Sequence, residues 1–145
     1  MGLDKRVLVW DITVKGNHDK PLCQLQLDSY ALANVVVAPN RVISSCKDKT
    51  LVLWDCETGR VEQTIDTTTL PNAPRGPASC LALSPDNTLL AAGYYDNCVM
   101  IWNLQSMEVV RVLQVHNQGI FCLVFLHNRT IVVGTSTGHI QLLPF

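Results

Sequence analysis

Apolar residues along this chain fall in short runs broken by Asp, Asn, Pro, Gly or Ser, and no long stretch carries a clean helical period. The runs pair off. Arg41-Val-Ile-Ser-Ser-Cys46, Leu89-Leu-Ala-Ala-Gly93 and Thr130-Ile-Val-Val-Gly-Thr135 each read as a strand, and each is followed across a tight polar corner by another apolar run. Upstream lie further strands, Ala33-Asn-Val-Val-Val37, Ser79-Cys-Leu-Ala-Leu83 and Ile120-Phe-Cys-Leu-Val-Phe125. They end in the turn signals Ala38-Pro-Asn40, Ser84-Pro-Asp-Asn87 and Leu126-His-Asn-Arg129. A more polar strand closes each of three units: Leu22 to Leu27, Arg60 to Ile65 and Glu108 to Leu113. This alternation suits a half-solvated edge. The pattern predicts an all-β chain.

The units repeat. Asp4-Lys-Arg-Val-Leu-Val-Trp10-Asp11, Asp48-Lys-Thr-Leu-Val-Leu-Trp54-Asp55 and Asp96-Asn-Cys-Val-Met-Ile-Trp102-Asn103 superimpose without gaps, and Thr137-Gly-His-Ile-Gln-Leu-Leu143-Pro144 follows as a weaker copy. The Trp (or Leu) positions lie 44, 48 and 41 residues apart, and in every copy the corner residue precedes them by six. An Asp suits such a corner because its carboxylate accepts the N–H groups of the turn. Periods of this size mark repeat architectures, in which each unit buries its faces only against neighbours.

These residues resemble the tryptophan-aspartate (WD) repeat β-propellers, whose blades are four-stranded antiparallel sheets of about 40 to 45 residues. The strongest parts of the resemblance are Ser84-Pro-Asp-Asn87 with Leu89-Leu-Ala-Ala-Gly93 and Asp96…Trp102, and Asp48…Trp54-Asp55. Asp4, Trp10, Asp48, Trp54, Asp96 and Trp102 are the structural repeat residues it implies. The family's His, Ser/Thr, Asp and Trp tetrad is complete in no copy: its Gly-His pair is left only as Val115-His116, Asp28 stands at another His position, and Cys46 and Tyr94 replace Ser/Thr. We therefore expect apolar packing to hold the blades together.

With strands named a to d from the axis outward, the chain reads c, d, then abcd twice, then abc. The expected organisation is a half blade over 1–27, a blade over 28–66, a blade over 67–114 with a Pro-rich insertion at 70–77, and a blade lacking its outer strand over 115–145. Because closed propellers have at least about four blades, this is an arc of about three blades in an incomplete ring. The first expectation is a fragment or truncated form of a longer WD-repeat regulator or assembly factor; the second is two chains pairing into one ring. Open blade edges imply self-association or aggregation, with Ile120 to Leu126 as the exposed apolar run.

Composition changes this picture little. Eleven Lys+Arg against 12 Asp+Glu give a charge of −1, so no net field favours phosphate backbones or anionic lipid. The longest apolar run, Ile120 to Leu126, is seven residues, far short of the roughly 18 of a membrane span. The opening residues lack a secretory apolar region, so we expect an intracellular chain, cytoplasmic or nuclear. The cysteines at 23, 46, 56, 80, 98 and 122 contain no C-x-x-C pair, and buried reduced thiols are expected rather than a metal site.

Chemistry is sparsely signalled. Gly134-Thr-Ser136-Thr-Gly138 is a literal G-x-S-x-G, but only seven residues follow, His139 among them and no Asp or Glu. A hydrolase using Ser136 is thus the weakest alternative, and a hairpin turn is expected. The histidines at 18, 116, 127 and 139 show no ligand spacing; no cofactor, metal or catalytic residue is expected. Asn128-Arg-Thr130 reads as a turn rather than a glycosylated site, and Thr67-Thr-Thr69 as a solvated loop.

The resemblance implies a non-enzymatic scaffold that presents side chains to a protein or peptide partner. At corners and on inner strands the positions to watch are Lys47, Tyr95, Ser136, Ala33, Ser79 and Phe121. Of these, Lys47, Tyr95, Phe121 and Ser136 are the candidate partner-binding residues, Tyr95 and Phe121 being aromatic anchors. Blade core is the competing reading for Phe121. The loop Leu70 to Pro77 is either a projecting recognition loop or a spacer across a wider gap. A nucleic-acid-associated propeller subunit is the alternative function; it needs a basic stripe, whereas Lys5, Arg6, Lys15, Lys20, Arg41, Lys47 and Lys49 are interleaved with acids.

Overall fold

The computed structural model describes residues 5–10, 20–115 and 119–145. The expectations placed on Asp4, Asp11, Lys15, His18 and His116 lie outside these residues. The described strands are β1 (Arg6–Val9), β2 (Cys23–Gln26), β3 (Ala31–Ala38), β4 (Arg41–Cys46), β5 (Thr50–Asp55), β6 (Arg60–Asp66), β7 (Ala78–Leu83), β8 (Leu89–Tyr94), β9 (Cys98–Asn103), β10 (Glu108–Gln114), β11 (Ile120–His127), β12 (Thr130–Thr135) and β13 (Ile140–Pro144). They form four antiparallel sheets in sequence order: β1-β2, β3-β4-β5-β6, β7-β8-β9-β10 and β11-β12-β13. The architecture is the expected all-β arc, and the ring is not closed.

Two inner strands run longer than their apolar runs suggest. β3 begins at Ala31 and β11 continues to His127, because register shifts between Ala31 and Ala33 and between Phe125 and His127 let the ladder persist through irregular residues. His127 therefore belongs to a strand rather than to the turn.

Strand alternation sends successive side chains to opposite faces, and each of the two middle sheets buries one face against the sheet before it and one against the sheet after. Three cores result. Leu25, Leu27, Val42, Val52 and Trp54 pack between the first and second sheets. Ile43, Leu51, Leu90, Ala92, Met100 and Trp102 fill the space between the second and third. Ala91, Val99, Ile101, Ile120, Leu123, Phe125, Ile131 and Val133 lie between the third and fourth. Trp54 and Trp102, at the same register position, each face the preceding sheet and expose no surface. Trp10, their counterpart beyond β1, is 45% exposed.

The inner strands β3, β7 and β11 stand side by side, and hydroxyls clasp them together. Ser45 Oγ donates to Ala78 O at 3.0 Å, and Ser79 Oγ donates to Ile120 O at 2.5 Å. Ala78 and Ile120 open equivalent strands, so both clasps meet the same carbonyl of the next sheet. The approach is close at Gly93: a Cβ there would lie 2.7 Å from Cys80 Sγ and 2.8 Å from both Ile120 and Leu123.

The Pro-rich insertion is anchored where it begins. Asp66 caps a short 3-10 turn at Thr67–Thr69 by accepting from Thr68 N. Thr67 is buried with its hydroxyl donating to Lys49 O at 2.6 Å, and Leu70 packs against the central core. Among the described residues no helix is long and apolar enough to cross a membrane.

Candidate functional site

The hairpin corners ahead of β5, β9 and β13, and Lys5 ahead of β1, gather at one end of the arc with the connections entering the inner strands. Each corner has the same backbone trick. Lys5, Lys49 and Asn97 take positive φ values of 59°, 69° and 70°, and Gly138 takes 80° at the equivalent place. That turn fixes the residues before it. Lys47 N donates to Tyr30 O at 2.8 Å and Ser136 N to Gly119 O at 2.8 Å, tying two corners to the neighbouring entry loops. Corner Asp48 accepts the Thr50 backbone N–H and hydroxyl, as expected of a turn carboxylate. Asp96 instead accepts Arg75 N from the insertion, so it anchors a loop as well as a corner.

On this end the candidate side chains are exposed. Tyr95, at 49%, meets Phe121, at 58%, edge to face, with ring centroids 6.2 Å apart and planes at 85°. Tyr94 points the other way and is fully buried, as strand alternation requires. Lys47 stands over the ring of Tyr30 at 6.0 Å and Lys5 over the same ring at 5.7 Å. Tyr30 escaped the reading of the chain because it precedes an inner strand instead of occupying a repeat position. Its signal was an aromatic beside Ser29, whose hydroxyl accepts from Asp48 N at 3.2 Å. Ser136 is exposed in the β12–β13 corner, and the nearby His139 Nδ1 lies 2.8 Å from Thr137 Oγ1. Ala33 and Ser79 are committed inward. Ala33 N donates to Ser45 Oγ at 3.1 Å, and the Ser79 hydroxyl is spent on Gly93 O and Ile120 O.

The thiols correct a further expectation. Only Cys46 and Cys98 are buried; Cys23, Cys56 and Cys80 are half-buried and Cys122 is exposed, all six being free. Burial pushes Cys46 and Cys80 up to about 11 and Cys98 up to about 12, the Asp96 carboxylate adding to the last. No group of three or more His, Cys, Asp or Glu side chains among the described residues could hold a metal ion.

A concavity of about 480 Å³ lies between the insertion and the outer strand of the third sheet. Leu70, Pro71 and Asn72 form one wall and Met107 to Val112 the other.

Residues 67–103 match the family model described as WD domain, G-beta repeat. The chain is 26% identical over 147 residues to WD repeat-containing protein SL1-17 of Schistosoma mansoni, covering 97% of this chain and 45% of that one. It is 28% identical over 144 residues to a CCR4-associated factor 4 homolog of Candida glabrata, covering 86% and 25%. Among solved structures, the WD40 repeats of RRP9 match with a TM-score of 0.64 at 21% identity, over 81% of this chain and 39% of that one. The chain thus spans less than half the length of these relatives. Repeated Trp positions, blade-like sheets and these matches agree: residues 67–103 are a WD repeat, and the chain has the fold of the WD-repeat β-propellers.

Proposed function

We propose that this chain serves as a non-enzymatic, intracellular protein-interaction scaffold whose partner docks on the end of the arc carrying Tyr95, Phe121, Lys47 and Ser136. The observation that carries the reading is the Tyr95–Phe121 pair, two large aromatic rings half exposed at a corner of the third sheet and on the inner strand of the fourth. Aromatic side chains bury much area at low entropic cost and dominate binding energy at interfaces. Lys47, held over Tyr30, adds a cation beside a third ring.

We read the scaffold as part of a larger propeller. Support comes from the last sheet, whose outer face leaves Val124, Ile140 and Leu142 exposed at 56%, 75% and 57%. The register equivalents of Ile140 and Leu142, Val99 and Ile101, are fully buried against a following sheet. A further sheet of the same kind fits that face.

The test is affinity capture from cell extract with the intact protein and a Lys47→Ala/Tyr95→Ala variant, partners being identified by mass spectrometry. Loss of specific partners at an unchanged thermal midpoint supports the site. Equal capture by both proteins overturns it.

A further inference from the structure

Two half-buried thiols face each other's sheet across the first blade junction, and neither serves the docking end. Cys23 opens β2 opposite Val9, on the face of the first sheet that also carries Val7, Val9, Leu25 and Leu27. Cys56 follows β5 two residues after Trp54, so it shares Trp54's side of the second sheet. Both pack against the same core, formed by Leu25, Leu27, Val42, Val52 and Trp54.

The turn that begins at Cys56 brings the second sheet onto Cys23 itself. Gly59 N donates to Asp55 O at 2.9 Å, closing the turn, and Gly59 adopts φ 68°. A Cβ on Gly59 would lie 3.3 Å from Cys23 Sγ and 3.3 Å from Gln24 O. Cys23 Sγ therefore rests on the Cys56-to-Gly59 turn.

We propose that Cys23 and Cys56 form a reversible disulfide that latches the β1-β2 sheet to the second blade, with oxidised glutathione as the oxidant. One thiolate of the pair attacks a sulfur of the glutathione disulfide, forming a mixed disulfide and releasing one glutathione thiolate. The second protein thiolate attacks the protein sulfur of that mixed disulfide, releasing the other glutathione. Two protein thiols are oxidised, one glutathione disulfide is reduced to two glutathiones, and the two protons leave with them.

The two buried cysteines lack this arrangement. Cys46 and Cys98 are closed off from solvent, and burial disfavours their thiolates. Cys122 is exposed, but its sulfur lies against Gly134 of its own sheet, 2.5 Å from where a Cβ would be. Cys80, half-buried on the neighbouring inner strand, is the thiol that senses it, so the peptide map must tell a Cys80–Cys122 link from a Cys23–Cys56 link. The β1-β2 pair also has the most to gain. Two strands are marginal by themselves, and their described contacts hold them through one face.

The test treats the full chain with oxidised glutathione, blocks free thiols and maps the peptides by mass spectrometry, with hydrogen exchange measured on the same samples. A linked peptide joining Cys23 to Cys56, together with amide exchange in β1 and β2 slowed by about tenfold or more, supports the latch. In the Cys56→Ser variant Cys23 should then carry glutathione and exchange should stay at its reduced rate. Separate glutathione adducts on Cys23 and Cys56 in the unmutated chain overturn the proposal. So does a chain in which only Cys122 reacts.

Discussion

Trp54 and Trp102 hold the same position in successive sheets and are equally buried, yet only Trp54 has a partner for its indole N–H. Trp54 Nε1 donates to Ser44 Oγ at 3.0 Å, and Ser44 Oγ donates onward to Asn34 Oδ1 at 2.6 Å. In the third sheet Ala92 stands where Ser44 does and Leu81 where Asn34 does, and Trp102 Nε1 is buried without a hydrogen bond. An unpaired buried donor carries its full desolvation cost, about 1–3 kcal/mol. Trp54→Phe should therefore destabilise more than Trp102→Phe by about 1–3 kcal/mol, since both remove similar volume but only the first breaks a bond. Urea unfolding of the two variants measures the difference. Ser44→Ala should cost a comparable amount by stranding the Trp54 N–H.

This asymmetry marks where the sequence was legible and where it was not. The strand order, the corner positions and the Trp spacing could all be read because hairpin chemistry and side-chain alternation are local. Burial of a given Trp depends on whether another sheet faces it, so Trp10 and Trp54 look alike in sequence and differ in exposure. Ser44 was passed over because its role needs Asn34 and Trp54 on strands to either side. Tyr30 was missed for the same reason, as its cationic neighbours Lys5 and Lys47 come from two other corners. The insertion stayed open between a projecting loop and a spacer, because its turn-forming Pro and Asn residues do not tell that Leu70 packs against the core.

The corner backbone offers a stabilising substitution. Lys49 holds φ 69° where the equivalent residue of the last sheet is Gly138 at 80°. A left-handed conformation strains a residue bearing a Cβ by about 1–2 kcal/mol, part of which glycine returns as unfolded-state entropy. Lys49→Gly should raise stability by about 0.5–1 kcal/mol, read as a higher melting temperature. A fall would mean that the Lys49 side chain contributes more than its backbone costs.

Clasping hydroxyls should matter more than their small size suggests. Ser45 Oγ accepts from Ala33 N and donates to Ala78 O, joining its own inner strand to the next sheet. Ser45→Ala leaves a buried carbonyl and an N–H short of partners, so a loss of about 1–3 kcal/mol is expected. The equilibrium midpoint in denaturant checks it. Ser29→Ala, at an exposed corner contact, serves as the comparison and should cost under about 1 kcal/mol.

Alkaline pH should weaken the fold over a defined window. Cys46 and Cys80 ionise near 11 and Cys98 near 12 in the folded chain, against 9.0 for a free thiol, because burial disfavours the thiolate. Below pH 9 the thiols are protonated in both states and their contribution is intact. As pH rises from 9 toward 11 or 12 the unfolded chain releases protons that the folded chain retains, which draws the equilibrium toward unfolding. Stability should decline across that interval and level off above it as far as these thiols are concerned. Cys98→Ala should flatten the decline in a pH series of unfolding curves; an unchanged slope would remove Cys98 as a contributor.

The outer face of the last sheet separates a surface defect from a core defect at equivalent positions. Leu142 pairs with Val132 as Ile101 pairs with Ala91, so the two residues occupy one site of the repeat. Ile101 is fully buried between the third and fourth sheets, whereas Leu142 is open on the far face of the fourth. Placing a lysine at the first strands a charge in a dry core, a change expected to cost more than about 4 kcal/mol and unfold the chain. At Leu142 the same substitution meets solvent and should cost under about 1 kcal/mol while reducing the exposed apolar patch. Light scattering should show less self-association for Leu142→Lys, with a thermal midpoint near that of the parent chain. Were Leu142→Lys as destabilising as Ile101→Lys, the face would already be covered, and the chain would have found a partner sheet in solution.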